Sequence, residues 1–203
     1  MKKKIMVFCD YYLPGIKGGG GMWTVFNLVE RFHDRYEFFI ITRNHDGRED
    51  KTPYSDVNTG EWNSVGNARV FYLPPNRIKP NAVASIVRDI EPDIVFLNSV
   101  FSSPTISFLT ARRRKLISAV PVILASCGEL AKPTLAIKRV KKTVYLRVAK
   151  LTGLYRGVIW RASFETERDD IRDIFGNNVE IVIAPDLTPK SILPNFSVSE
   201  KPE

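Results

Sequence analysis

Seven short apolar runs, each too short for a helix, recur along this chain with amphipathic stretches between them. Lys4-Ile5-Met6-Val7-Phe8-Cys9 is the first, followed by Tyr36–Thr42 (YEFFIIT), Ala68–Leu73, Ile94–Leu97, Pro121–Ala125, Val158–Trp160 and Glu180–Ala184. The intervening stretches place apolar residues at helical spacing: Met22, Val25, Val29 and Phe32, then Val83, Ile86, Val87 and Ile90. Pro104–Ser118 reads as a third helix, and Pro133–Tyr155 as one long helix with the stripe Ile137, Val140, Val144, Val148 and Leu151. A further helix begins near Glu165, with Ile171, Ile174 and Phe175 apolar and Gly176 at its C′ position. Uninterrupted apolar strands alternating with helices predict an α/β, doubly wound parallel sheet of about seven strands with helices on both faces. The 203 residues, 44% of them hydrophobic, suffice for one full-sized core.

A glycine run, Gly18, Gly19, Gly20 and Gly21, sits just ahead of the first helical stripe. Bare backbone N–H groups at a helix N-terminus approach an anion closely, and the helix dipole favours negative charge there. Phosphate or a phosphorylated sugar is the expected ligand. In an open parallel sheet ligands sit beyond the carboxyl ends of the strands, where the strand order reverses. There the glycines are joined by Asn98 and Ser99 after the fourth strand, and by Ser126, Cys127, Gly128 and Glu129 after the fifth. Donors, hydroxyls, one amide and one carboxylate suit polyhydroxyl and phosphate recognition. Tyr11, Tyr12, Leu13, Met22 and Trp23 flank the glycines and are expected to form an apolar cleft rim.

Charge is unevenly distributed. From Ala111 to Arg161 there are thirteen lysines and arginines against one acid, Glu129, a segment charge of +12 in a chain of net +8. Arg112, Arg113, Arg114 and Lys115 form one cluster, and Lys138, Arg139, Lys141 and Lys142 another. Such a field attracts anionic lipid headgroups. With Ile137, Val140 and Val144 expected against the sheet, the attraction is expected to be electrostatic, not insertional. Nucleic acid is disfavoured, because no aromatic platform for stacking bases interleaves the cations.

Metal chemistry is not indicated. His33 and His45 lie apart and are expected on the surface, and Asp169-Asp170 fits the opening turn of a helix. Cys9 and Cys127 read as reduced, buried thiols. The apolar run Ile5–Phe8 is too short for a signal peptide, and no segment reaches the length of a membrane span. The expectation is a cytoplasmic protein, peripheral at the inner face of the plasma membrane.

The ordered set of strand, glycine run and helix, then EPDIVFLNS, PVILASCGEL, the basic KRVKK helix and WRASFETERDDI, resembles the N-terminal half of family 4 glycosyltransferases of the GT-B fold. The likeness covers essentially the whole chain. It implies a Rossmann-like domain with strand order 3-2-1-4-5-6-7, and retaining transfer of a sugar from a nucleotide-sugar donor without a metal or resident cofactor. It implies a donor phosphate or sugar loop at Gly18–Gly21 and an acceptor cleft at Asn98, Ser99 and Ser126–Glu129. One departure is Cys127, where such enzymes often carry a basic or imidazole side chain. The resemblance implies a glycan or lipid-linked acceptor of cell-surface polysaccharide synthesis, and a second, donor-binding domain as partner. Residues 1–185 would be the first domain and 186–203, rich in proline, a linker towards the second, so the isolated domain is expected to be inactive.

Two other classes share parts of this pattern. A nicotinamide-dependent oxidoreductase places its first glycine at the strand end and an acid after the second strand. Here the glycines come about nine residues late, and Thr42-Arg43-Asn44 offers no carboxylate. A P-loop nucleotidase needs Gly-Lys-Ser/Thr, which does not follow the glycines. A non-catalytic membrane-docking or ligand-binding module of the same fold remains the alternative.

Overall fold

In the computed structural model, which describes residues 2–47 and 49–189, the apolar runs pair into one eight-stranded sheet. In chain order the elements are β1 (Lys3–Phe8), α1 (Gly19–Phe32), β2 (Tyr36–Arg43), β3 (Trp62–Val65), β4 (Ala68–Leu73) and α2 (Pro80–Ile90). There follow β5 (Ile94–Asn98), α3 (Ser103–Arg113), β6 (Val122–Ala125), α4 (Lys132–Ala136), α5 (Arg139–Leu151), β7 (Ile159–Ala162), α6 (Glu165–Phe175) and β8 (Ile181–Ile183). The sheet order is β3-β4-β2-β1-β5-β6-β7-β8. Without β3 this is the expected seven-stranded parallel order.

The eighth strand, β3, comes from a long polar stretch of the sequence, residues 43–67, that joins β2 to β4. β3 pairs antiparallel with β4 through a hairpin whose last register pair is Val65↔Ala68, leaving Gly66 and Asn67 as its two-residue turn. Gly66 has φ 55°, as such a turn requires. Trp62 anchors the strand, edge-on to Phe39 at 5.4 Å and Phe71 at 5.2 Å.

The two faces are covered unequally. Met6, Phe8, Phe39, Ile41, Val95, Leu97, Leu124 and Trp160 point to one face, against Val83 and Val87 of α2, Phe108 and Leu109 of α3, Leu146 of α5 and Ile171 of α6. Val7, Cys9, Phe38, Ile40 and Val70 point to the other, against Met22, Val25 and Val29 of α1. Beyond α1 that second face carries Ile94, Phe96, Ile123, Ile159 and Val182, and they line an apolar cavity of about 460 Å³. The chain after β8 bounds it, crossing back to α1: Asn27 Nδ2 donates to Leu187 O at 2.8 Å and Arg31 Nε to Thr188 O at 2.9 Å. Residues 186–189 of the expected linker are thus tied to the domain. Residues 190–203 lie outside the described residues.

The expected long helix is two. Lys138, at φ 58°, separates α4 from α5. The expected buried stripe faces outward, with Ile137 65%, Val140 78%, Val144 55%, Val148 53% and Leu151 88% exposed. A periodic stripe defines a face but not its direction. The helix packs instead through Leu146 and Ala149, with Tyr145 against Phe101 at 5.6 Å and its Oη 2.7 Å from Tyr155 Oη. α3 also ends early, at Arg113, with Lys115 left-handed at φ 58°. Among the described residues no helix is long and apolar enough to cross a membrane.

This packing predicts opposite outcomes for two neighbours on α5. Leu146→Ala should cost about 2–4 kcal/mol in thermal denaturation, whereas Val144→Ser should stay within about 0.5 kcal/mol of the parent.

Candidate functional site

The strand order reverses between β1 and β5, and the loops leaving their carboxyl ends converge there. The glycines do not form a loop ahead of the helix: Gly19, Gly20 and Gly21 are the first turn of α1, with Gly18 at its N-cap. Three of the four are glycine for different structural reasons. A Cβ on Gly18 would lie 2.8 Å from Tyr11 Cβ and 2.9 Å from Met22 Cβ. Gly19 has φ +65°, and a Cβ on Gly21 would meet Asn98 Nδ2 at 3.1 Å. Only Gly20 is unconstrained by its surroundings, since a Cβ there would meet nothing within 4 Å.

Asn98, buried at the end of β5, joins three segments. Its Nδ2 donates to Gly21 O at 2.8 Å, and its Oδ1 accepts from Cys127 Sγ at 3.2 Å. The next residue, Ser99, has φ 97°, and Cys127 has φ 50°, both unusual for side-chain-bearing residues. Such backbone persists only where the surroundings hold it. Two carboxylates do so. Glu129 accepts from Ser99 Oγ at 2.9 Å, Val100 N at 2.6 Å and Phe101 N at 3.3 Å. Burial pushes its carboxyl above the usual range, although these hydrogen bonds pull the other way.

Glu167, on the first turn of α6 and 3% exposed, holds the second loop. Its Oε1 accepts from Ser126 Oγ at 2.6 Å and Gly128 N at 2.7 Å, and its Oε2 from Ser163 N at 2.6 Å. Burial raises its pKa, but the hydrogen bonds outweigh it and leave the carboxyl below its ordinary value. The sequence reading quoted Glu167 only as part of a motif. The findable signal was an acid in an opening helix turn five residues after a strand end.

Arg43, at the end of β2, was also missed. Its Nε pairs with Asp10 Oδ1 at 2.9 Å and its Nη2 donates to Ser103 Oγ at 2.8 Å, placing a half-buried cation at this edge of the sheet. His45, expected on the surface, is buried at 2% exposure beside Tyr11. Desolvation, with Arg43 adding, holds its imidazole below the usual value. Cys127, expected buried, is an exposed residue, yet desolvation with Glu129, Glu167 and Asp186 nearby pushes its thiol up to about 12. Asp169 lies beyond the first turn of α6 and pairs with Arg168 at 2.9 Å. Of the expected rim, Tyr12 and Met22 are core, Tyr11 and Leu13 are half-buried, and Trp23 is 45% exposed.

The two basic clusters lie at opposite ends of α5. Arg112 donates to Arg156 O at 2.8 Å and Gly157 O at 3.0 Å, and Arg113 to Thr152 O at 2.7 Å, ahead of β7 and away from the site. Arg114 and Lys115 end α3 beside them. Lys138, Arg139, Lys141 and Lys142 start α5 near the site. There Lys142 Nζ stands 5.1 Å over the Phe101 ring.

No protein-family profile matches the chain, and no curated protein matches it. Among solved structures it is similar to α,α-trehalose 6-phosphate synthase from Burkholderia multivorans, at 10% identity and TM-score 0.49, over 91% of this chain and 48% of that one. It is similar to the Bordetella bronchiseptica enzyme WbmG, solved with NAD, at 12% identity and TM-score 0.36, over 91% and 82%. It is also similar to a Photobacterium phosphoreum α/β-galactoside α-2,3-sialyltransferase, at 10% and 0.34, over 88% and 59%. The chain spans about half the length of the trehalose 6-phosphate synthase. Scores below 0.5 at such identities decide no chemistry or ligand for this chain.

Glu167→Gln replaces an acceptor of the Ser163 N–H by a donor. A loss of about 2–3 kcal/mol is expected. Because the folded-state pKa is depressed, the stabilisation is present above the usual carboxylate value of 4.5 and is lost as pH falls through the lowered one. Denaturation curves of parent and variant should therefore differ at pH 7 and converge in acid.

Proposed function

We propose that this chain is the acceptor-side half of a retaining, metal-independent family 4 glycosyltransferase of the GT-B fold. It acts with a second domain that holds most of the nucleotide-sugar donor. The proposed acceptor is a glycan or lipid-linked sugar of cell-surface polysaccharide synthesis. The observation carrying this reading is the open backbone of Gly19 and Gly20 at the N-terminus of α1, set against the Asn98–Ser99 and Ser126–Glu129 loops. A helix N-terminus with nothing over Gly20 favours a phosphate, and the neighbouring hydroxyl and amide groups suit a sugar.

The carboxylates also set what this half does. Glu129 accepts from three groups of the Ser99–Phe101 loop, Glu167 from three around Ser126, and Asp10 is paired with Arg43. They position the loops. In this reading the half binds and orients, and the isolated domain does not turn over.

The test is an amide NMR titration of the chain with a nucleotide sugar. Shifts concentrated at Gly19, Gly20, Gly21 and Ser99 are expected, and their absence would remove the assignment. Gly20→Val should leave the melting temperature within about 2 °C of the parent, because the new side chain meets open space. It should weaken binding about tenfold or more by blocking close approach to the backbone. Gly18→Ala, which collides with Tyr11 and Met22, should instead lower stability.

A further inference from the structure

The outward face of α5 has no counterpart elsewhere on the described surface. Val140, Val144, Val148 and Leu151 recur at helical spacing and are all more than half exposed, and Ile137 adds a fifth exposed apolar side chain at the helix foot. At 100° per residue the four helical positions fall within a sector of about 80°, with Lys141 and Arg147 about 20° beyond its two edges. Leu146 and Ala149, on the other side, satisfy the contact with the domain. The stripe is therefore not a core face left slightly open. Lone exposed apolar residues need no explanation, but a continuous row along a helix of thirteen residues does.

Charge identifies the occupant. Lys141 and Arg147 are exposed along the edges of the stripe and Lys138 and Arg139 at its foot, and no acid occurs between Glu129 and Glu165. A second copy of this face would set these cations against one another, and a protein partner would have to match an apolar row with acids along both of its edges. An anionic lipid surface takes both parts at once, with the headgroups meeting the lysines and arginines and the acyl boundary receiving the valines and leucine. Among the described residues the helix is too short to span a bilayer, as an interfacial helix can be.

We propose that α5 lies in the plane of an anionic bilayer, with Val140, Val144, Val148 and Leu151 inserted among the lipids and the flanking cations at headgroup level. The binding is insertional as well as electrostatic, which corrects the expectation that the stripe faces the sheet. The inference does not depend on the transferase reading. Its geometric consequence is that membrane and cleft are close. Lys142 and Tyr145 of α5 pack on Phe101, whose N–H donates to Glu129.

The test uses the full chain with vesicles of phosphatidylcholine alone and of phosphatidylcholine with phosphatidylglycerol. Cosedimentation with the anionic vesicles should exceed that with neutral ones about tenfold or more, and should weaken with added salt without vanishing. Replacing Val140, Val144, Val148 and Leu151 together by serine keeps every charge and should lower anionic-vesicle binding about tenfold, with the thermal midpoint unchanged. Replacing Lys138, Arg139, Lys141 and Lys142 by glutamine should lower it too. A tryptophan placed by Val144→Trp should be quenched by brominated lipid above the background of the parent chain. Unchanged binding of the serine variant, an unquenched tryptophan, or no binding at low salt would overturn the proposal. So would vesicle-independent self-association that Val144→Ser abolishes, since the face would then join two copies.

Discussion

A connection between parallel neighbours of one sheet is right-handed, so the direction in which the sheet grows decides the face on which each helix lies. From β1 the chain steps outward to β2 and β4, and this puts α1 on one face. It then returns past β1 to β5 and grows the other way through β6, β7 and β8, so α2, α3, α5 and α6 all fall on the opposite face. Two features follow. The reversal between β1 and β5 is where the loops leaving the carboxyl ends of the strands meet, around Asn98. Among the described residues the same reversal leaves the α1 face of β5 to β8 without a helix of its own, and the strap of residues 184–188 crosses an apolar cavity there.

The meeting of these loops depends on polar groups that hold backbone in place. Asn98 ties the first turn of α1 to the β6 loop, Glu129 gathers the N–H groups after β5, and Glu167 gathers those around Ser126 and Ser163. A carboxylate accepting several hydrogen bonds in a buried setting is strongly constrained, because losing one partner strands an ion away from water. The left-handed backbone at Ser99 and Cys127 is held by that constraint. The site is thus built from the outside inward: helix and strand ends carry the acids, the acids fix the loops, and the loops frame the open backbone at Gly20.

Much of this was legible in the chain. The parallel sheet follows from apolar runs alternating with helical stripes. The order of its seven principal strands is what the resemblance implied, and the convergence of Gly18–Gly21 with Asn98, Ser99 and Ser126–Glu129 follows from that order. Less local facts were not. β3 is one short pairing inside a polar excursion, made stable by Trp62 reaching Phe39 and Phe71 from other strands. His45 and Cys127 exchanged their expected environments, because exposure of a loop residue is set by what folds over it. The partners of Glu167 lie on two loops, and no spacing rule brings Ser126 and Gly128 to the start of α6.

The amphipathic period of α5 was also visible, but its direction was not. Hydrophobic spacing is a property of neighbouring residues on one helix, so the sequence alone determined that Val140, Val144, Val148 and Leu151 share a face, and that cations surround it. Whether that face meets the sheet or the solvent depends on the rotation of the helix about its axis. Contacts made by other residues set that rotation: Leu146 and Ala149 against the core, Tyr145 against Phe101 and Tyr155. The parallel sheet is decided by pattern because apolar runs that alternate with helices must be buried on both faces. The outward turn of the stripe was decided only by tertiary packing, because the residues that fix the helix's rotation do so through partners on other segments.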